Sequence, residues 1–317
     1  MTVDNTPVVG RFAPTPSGFL HLGNVFCSLL AWLYAKSSGG KIVLRIEDLD
    51  PQRCSLAKAD ALARELEWLG LTWDEGAYCS ADSDSFFQSR RCDIYAHCFD
   101  LLQQQGLVYP CFCSRELHAA EAPHASDGRI IYAGTCRKLT AAQRSAKMQQ
   151  RRPAWRIKVA DELIAFTDMH YGRQQANLAH ECGDFILRRS DGVYAYQLAV
   201  VIDDALMGVN QVVRGCDLLS STPVQLYLYR LLNLTPPSFC HIPLLTDAAG
   251  RRLSKRDGDL EIAALRQHFG SPEPIIGLLA YLAGQLPKPE PLTAAELLLL
   301  FRPEKVPLEN IVVPQLL

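Results

Sequence analysis

The stretch that most constrains this chain is RFAPTPSGFLHLGN, Arg11 to Asn24, because two prolines and a glycine separate its first apolar run from its first amphipathic helix. Proline fixes φ and lacks an N–H, and glycine stabilises neither strand nor helix, so Pro14, Pro16 and Gly18 predict a tight, stiff loop. The flanks are regular. VVGRFA reads as a strand, NVFCSLLAWLYAKSSGG as a helix closed by Gly-Gly, KIVLRIEDLD as a strand fading into acid, and LAKADALARELEWLGL as a second helix. A β–α–β–α opening predicts an α/β fold with a parallel sheet covered by helices. Ligands of such sheets bind where strands end and helices begin. His21 and Asn24, three apart, share one face of the helix start, where free N–H groups favour anions, and Gly23 admits a flat ring close to the backbone. Alone, the stretch fits both a nucleotide site and a Pro-rich loop closed by a satisfied histidine.

The chain has 317 residues, 48% of them hydrophobic and 21% charged, which is ordinary for a soluble globular protein. The longest apolar runs, such as IIGLLAYLAG at 275–284, are too short to cross a bilayer. MTVDNTPVVG lacks a basic start and an apolar h-region, so a cytoplasmic enzyme is expected. No feature calls for a membrane or an obligatory protein partner. Eleven cysteines, an odd number without an export signal, predict free thiols or a metal site rather than a disulfide framework. With a net charge of −2, any nucleic-acid partner must meet a local basic patch. The patterns divide the chain into a first core half (1–105), an insertion rich in cysteines and basic residues (106–190), a second core half (191–257) and a mostly helical C-terminal region (258–317). In STPVQLYLYRLL, Thr222 is expected as the N-cap of a helix with Pro223 at N1.

A second loop, GRRLSKRDGD at 250–259, gathers Arg251, Arg252, Lys255 and Arg256 around a serine. Such cations suit a triphosphate whose charge rises during transfer, although alone they describe a solvated turn equally well. Taken together and in this order, HLGN resembles the HIGH signature and RLSKR the KMSKS signature of class I aminoacyl-tRNA synthetases. RIEDLDPQR, DFILRRSDGVYAYQLAVVIDD and VVRGCDLLSSTPVQLYLY extend the resemblance to the glutamyl-tRNA synthetase core over roughly residues 7–260. Asn24 replaces the last His of HIGH, and Arg252-Leu253 the Lys-Met of KMSKS. Since only about 60 residues follow the second signature, and the middle motif reads YQLAVVIDD, the chain is most similar to the glutamyl-Q tRNA(Asp) synthetase family, truncated relatives without an anticodon-binding domain.

The resemblance implies a Rossmann-like core with an inserted zinc-bearing α+β subdomain and a short helical C-terminal region. It implies tRNA-independent activation of L-glutamate by ATP, with Mg2+, and transfer to the queuosine base in the anticodon of tRNA(Asp). His21, Asn24 and Lys255 are the implied catalytic residues. ATP is expected at His21, Gly23, Asn24, Arg252, Leu253, Ser254, Lys255 and Arg256. Glutamate is expected at Arg11, Phe12, Ala13, Pro14, Thr15, Glu47, Tyr196 and Arg214. The chemistry fits: two guanidiniums suit the γ-carboxylate, Glu47 the ammonium, and the Tyr196 phenol can wall the pocket. Outside this context Arg11 and Glu47 would be read as a structural ion pair.

Cys111-x-Cys113 followed by Cys136 has the spacing of a structural zinc site. Spacing leaves His118 and His124 open as the fourth ligand, whereas the resemblance points to Tyr132. Residues 137–158 carry Arg137, Lys138, Arg144, Lys147, Arg151, Arg152, Arg156 and Lys158 without one acid, and are expected to contact tRNA phosphates, Arg137, Lys138, Arg151 and Arg152 foremost. The competing readings are a synthetase charging the 3′ end, a catalytically idle RNA-binding paralogue, and a small-molecule nucleotidyltransferase.

Overall fold

The opening loop leaves a short strand whose apolar residues are buried. In the computed structural model, which describes residues 6–79, 82–114, 131–251, 253 and 261–314, β1 (Val9–Phe12) pairs in parallel with β2 (Lys41–Leu44), and β2 with β3 (Glu75–Gly76). Between them run α1 (Leu22–Ser37) and α2 (Leu56–Trp68), the latter capped by Ser55, whose hydroxyl accepts from the Lys58 N–H. The predicted parallel arrangement is therefore present. α1 starts at Leu22, two residues before the apolar pattern suggested, because His21 takes the N-cap position in an extended conformation. It buries residues on nearly every side, as a helix enclosed by other elements must.

Pairing turns antiparallel after α3 (Cys92–Gln104). β4 (Val108–Cys111), β5 (Ala154–Ile157) and β8 (Ile186–Arg188) form one antiparallel sheet, and β6 (Leu163–Asp168) pairs with β7 (Gly172–Asn177) as a separate hairpin. α4 (Ala141–Gln150) precedes β5, and the single-turn α5 (Leu178–Glu181) follows β7. Parallel pairing returns with α6 (Tyr196–Leu206), β9 (Gln211–Gly215), α7 (Thr222–Leu231) and β10 (Ser238–Ile242). One expectation needs correcting. Ser221, not Thr222, is the N-cap of α7; Thr222 is already helical, and its hydroxyl accepts from Arg214 instead of capping the helix.

β1 and β9 are joined through Asn210, whose N–H donates to Val9 O at 3.0 Å and whose Oδ1 accepts from Val9 N at 2.7 Å. The carboxyl ends of both parallel sheets therefore open toward the same side. β11 (Leu245–Thr246) pairs with β12 (Ile311–Val312), and α8 (Ile262–Phe269), α9 (Glu273–Leu282) and α10 (Ala294–Leu300) complete the chain. These last helices share one apolar core with α1 and β2, while a second core lies among α3, β5, β8, α6 and α7. None of the eleven cysteines is in a disulfide. Among the described residues no helix is long and apolar enough to cross a membrane.

Candidate active site

A cleft of about 550 Å³ opens at the carboxyl ends of β1 and β9, within the size range of small-molecule sites. Its lining brings together Arg11, Phe12, Ala13, Pro14 and Thr15 from β1 and the loop after it, His21, Gly23 and Asn24 from the start of α1, Glu47 beyond β2, Tyr196 at the start of α6, Arg214 on β9, and Leu253. Every expected glutamate residue and the described ATP residues thus face one space. Arg252, Ser254, Lys255 and Arg256 lie outside the described residues. Arg251 turns back onto Asp247 in an ion pair.

The helix entrance explains the departure from HIGH. The N–H of His21 donates to Asn24 Oδ1 at 3.3 Å, so Asn24 closes the first turn as well as lining the cleft. Gly23 leaves the His21 ring its place: a Cβ on it would stand 3.2 Å from the ring, which would have to shift by a few tenths of an ångström. Leu20 and His21 also hold the C-terminal region, through Ile262 N–H to Leu20 O at 2.9 Å and an antiparallel bridge between His21 and Glu261.

The charged side chains are buried. Arg11 Nη1 donates to Val213 O, and its Nε lies 3.6 Å from Asp204. Glu47 accepts from Arg45 Nη2 at 3.1 Å. Arg11 and Glu47 therefore belong to an ionic cluster, but each has its own partner, and both remain on the cleft wall. Burial pushes the Glu47 carboxyl above its ordinary value, against the pull of Arg45 and Arg11. Burial likewise raises the Tyr196 phenol and lowers the Arg214 guanidinium, which is flanked by Tyr196 and Arg11. Arg214 Nη1 is buried without a hydrogen-bond partner, a donor available to an anion.

A second constellation lies apart from the cleft. The sulfurs of Cys111, Cys113 and Cys136 lie within 4.8 Å of one another. Cys113 and Cys136 Sγ are 3.6 Å apart, and the Tyr132 hydroxyl is 3.4 Å from Cys111 and 3.6 Å from Cys113. A tetrahedral zinc with ordinary bond lengths sets edges of about 3.8 Å between sulfurs and about 3.5 Å between sulfur and oxygen. The cluster fits a metal ion on these distances. It is also supplied with donors suited to thiolates, since Phe112 N–H reaches Cys136 Sγ at 3.3 Å and Arg156 Nε reaches Cys111 Sγ at 3.4 Å. Burial works against ionisation of Cys111, but the hydrogen bonds from Tyr132 and Arg156 leave its thiol below the ordinary value. His118 and His124 lie outside the described residues.

The basic run divides. Lys138, Lys147, Arg151 and Arg152 are exposed, and α4 buries no side chain. Arg137 is partly engaged by Asp184 at 3.2 Å. Arg156 does not belong to a phosphate-facing surface, being buried between Cys111 and Asp184 O; Lys158 is partly exposed and donates to Gly106 O at 2.6 Å. Sequence reasoning also passed over Asp168 and His241, and gave Thr222 a capping role only; all three stand behind Arg214. The signal available was a single histidine inside the apolar strand SFCHI.

Such a cleft, entered by a His-containing helix start at the carboxyl ends of two linked parallel sheets, defines the catalytic domain of a class I aminoacyl-tRNA synthetase. The family model "tRNA synthetases class I (E and Q), catalytic domain" matches residues 7–295. A glutamyl-Q tRNA(Asp) synthetase of Nitratidesulfovibrio vulgaris is 52% identical over 88% of this chain and 87% of its own length. That of Symbiobacterium thermophilum is 46% identical over 96% and 95%. A crystal structure of a glutamate tRNA ligase from Elizabethkingia meningosepticum, in complex with its amino acid, superposes with a TM-score of 0.81 at 27% identity, covering 97% of this chain and 67% of that one. The chain belongs to the glutamyl-Q tRNA(Asp) synthetase family, and with it to the ATP-dependent ligases.

Proposed function

We propose that the protein activates L-glutamate with ATP in the absence of RNA and transfers it, in the cytoplasm, to the queuosine base in the anticodon of tRNA(Asp). The observation that carries this reading is the presence of two buried arginines, Arg11 and Arg214, and one buried carboxylate, Glu47, on the wall of a single cleft. The arginines take the γ-carboxylate of the substrate, Glu47 takes its ammonium, and the α-carboxylate is left facing the helix start. One of its oxygens attacks the α-phosphorus of Mg2+-bound ATP, a C–O–P bond forms, and pyrophosphate leaves. His21 and the first N–H groups of α1 stabilise the phosphate charge, joined by Lys255 from the RLSKR loop. A hydroxyl of the queuosine cyclopentenediol then attacks the activated carbonyl, and AMP departs with the bonding pair. Glutamine is rejected, since its amide leaves the buried Arg214, which has no carboxylate partner of its own, without an anion. Cys111, Cys113, Tyr132 and Cys136 hold a structural zinc ion, and the exposed cations of 137–152 face the tRNA.

The test has two parts. Pyrophosphate exchange without tRNA is expected with glutamate and not with glutamine or aspartate. Labelling of 3′-blocked tRNA(Asp) is expected when the wobble base is queuosine and not when it is guanosine. Loss of labelling on 3′ blocking establishes ordinary charging instead.

A further inference from the structure

Arg214 reaches the cleft from β9, but most of its guanidinium is already engaged. Nε donates to His241 Nε2 at 3.0 Å, Nη2 donates to Thr222 Oγ1 at 2.8 Å, and the Phe239 ring lies 5.1 Å from the guanidinium carbon. Nη1 remains without a partner. Behind His241 stands Asp168, the last residue of β6, with Oδ2 2.6 Å from His241 Nδ1. The backbone N–H groups of His170, Tyr171 and His241 also donate to this carboxylate, at 3.0, 2.9 and 3.1 Å. Asp168, Thr222 and His241 have no more than 1% of their surface exposed, and none of them lines the cleft.

The chemistry of the chain of contacts is directional. A carboxylate at Nδ1 keeps the imidazole proton on that nitrogen, which leaves a lone pair on Nε2. That lone pair is what the Nε–H of Arg214 requires. In the other tautomer two N–H groups would oppose each other at 3.0 Å. We propose that Asp168 and His241 are positioning residues for Arg214: they fix the rotation of its guanidinium so that Nη1 meets the substrate carboxylate, and they make substrate selection depend on the β6–β7 hairpin of the inserted segment. The choice of glutamate as the carboxylate's owner rests on the function proposed above; the relay itself does not. Burial lowers the basicity of His241 despite the Asp168 hydrogen bond, which keeps it neutral as the relay demands.

Asp168→Asn is the decisive variant, because it is isosteric and its remaining oxygen, at Oδ1, still accepts from His170 and Tyr171 N–H and from His241 N–H at 3.2 Å, while its amide nitrogen, at Oδ2, presents N–H to Nδ1. Glutamate KM in pyrophosphate exchange is expected to rise roughly 10–100-fold, the scale of one hydrogen bond to a charged group, with ATP KM unchanged. His241→Phe keeps the ring stacked on Phe239 and should match it, and His241→Gln, with an oxygen near Nε2, should recover part of the loss. Long-range 15N–1H spectra of the imidazole supply a readout that needs no substrate. They should show Nδ1 protonated and Nε2 bare in the wild type, and the reverse in Asp168→Asn. An Nε2-protonated wild type, or variants that leave glutamate KM where it is, or that raise glutamate and ATP KM together, overturns the relay. A wild type lacking glutamate-dependent exchange but showing the expected tautomer supports the relay and instead removes the glutamate reading.

Discussion

Arg45 has no exposed surface, and three carboxylates surround it: Asp204 at 2.6 Å, Glu47 at 3.1 Å and Asp203 at 3.9 Å. Arg91 meets Asp203 at 2.7 Å, and Arg11 meets Asp204 at 3.6 Å, so three guanidiniums and three carboxylates balance beneath the cleft. Tyr95 and Gln88 add donors to Asp203. Buried charge survives only with such pairing, and here it also fixes the cleft side chains from behind. It is also expected to set an acid limit on glutamate binding. The Glu47 carboxyl titrates above its ordinary value, so its native form binds a proton more readily than the unfolded chain does. Glu47 therefore contributes stability at low pH that is lost as pH rises through the raised value. Binding has the opposite sign: the substrate ammonium needs the ionised form, so glutamate affinity is expected to fall as pH drops toward that value. Glutamate KM measured from neutral to mildly acidic pH checks this, and the acid limb should disappear in Glu47→Gln. An identical limb in that variant would assign the titration elsewhere. Arg11, Glu47 and Arg214 were legible in the sequence because a motif surrounded each. Arg45, Asp203 and Asp204 lay within quoted motifs but received no role, because a row of letters does not reveal which charges share one buried site.

The loop after β4 and the turn around Cys136 form a small core of their own, in which Tyr109, Cys111, Phe112, Tyr132 and Cys136 are buried. Five side chains make a weak hydrophobic unit, so a metal ion holding the thiols would supply much of its order. Protein purified without chelator is expected to carry about one zinc per chain. Cys136→Ser should lower the zinc content and expose this region to proteolysis. Tyr132→Phe keeps the Arg156 guanidinium over its ring, now 3.8 Å away, and removes only the oxygen. Full zinc retention in that variant would exclude the phenol as a ligand. The three cysteines were legible because ligand spacing is local in sequence. The fate of Arg156 was not, since β5 turns this one of the eight run cations inward, and a charge run does not show which side of a strand faces solvent.

On the function proposed above, the two tasks fall to regions separated in space. Activation is assigned by that proposal to the cleft at the strand ends, where no residue of 137–158 appears in the lining. The exposed cations lie on α4 and at either end of it, a helix held by the Thr140–Gln143 capping box and by no buried side chain. A helix that buries no side chain adds little to a core, so the six cations on and beside it, Arg137, Lys138, Arg144, Lys147, Arg151 and Arg152, with no acid among residues 137–152, are expected to serve an anionic partner. The chain carries a net charge of −2, so attraction to RNA has to come from such a local surface. Arg151 and Arg152 are exposed, and Arg151 ends the helix. Replacing both with alanine is expected to weaken tRNA binding and to reduce the slope of log K against log salt by up to roughly two phosphate contacts. Pyrophosphate exchange without tRNA should keep its wild-type rate, because the cleft is untouched. Titrations of tRNA at several salt concentrations, run beside the exchange assay, measure both quantities on one preparation. A salt slope equal to that of the wild type would take α4 out of the tRNA interface, and a fall in exchange would mean that the two regions are mechanically coupled rather than independent.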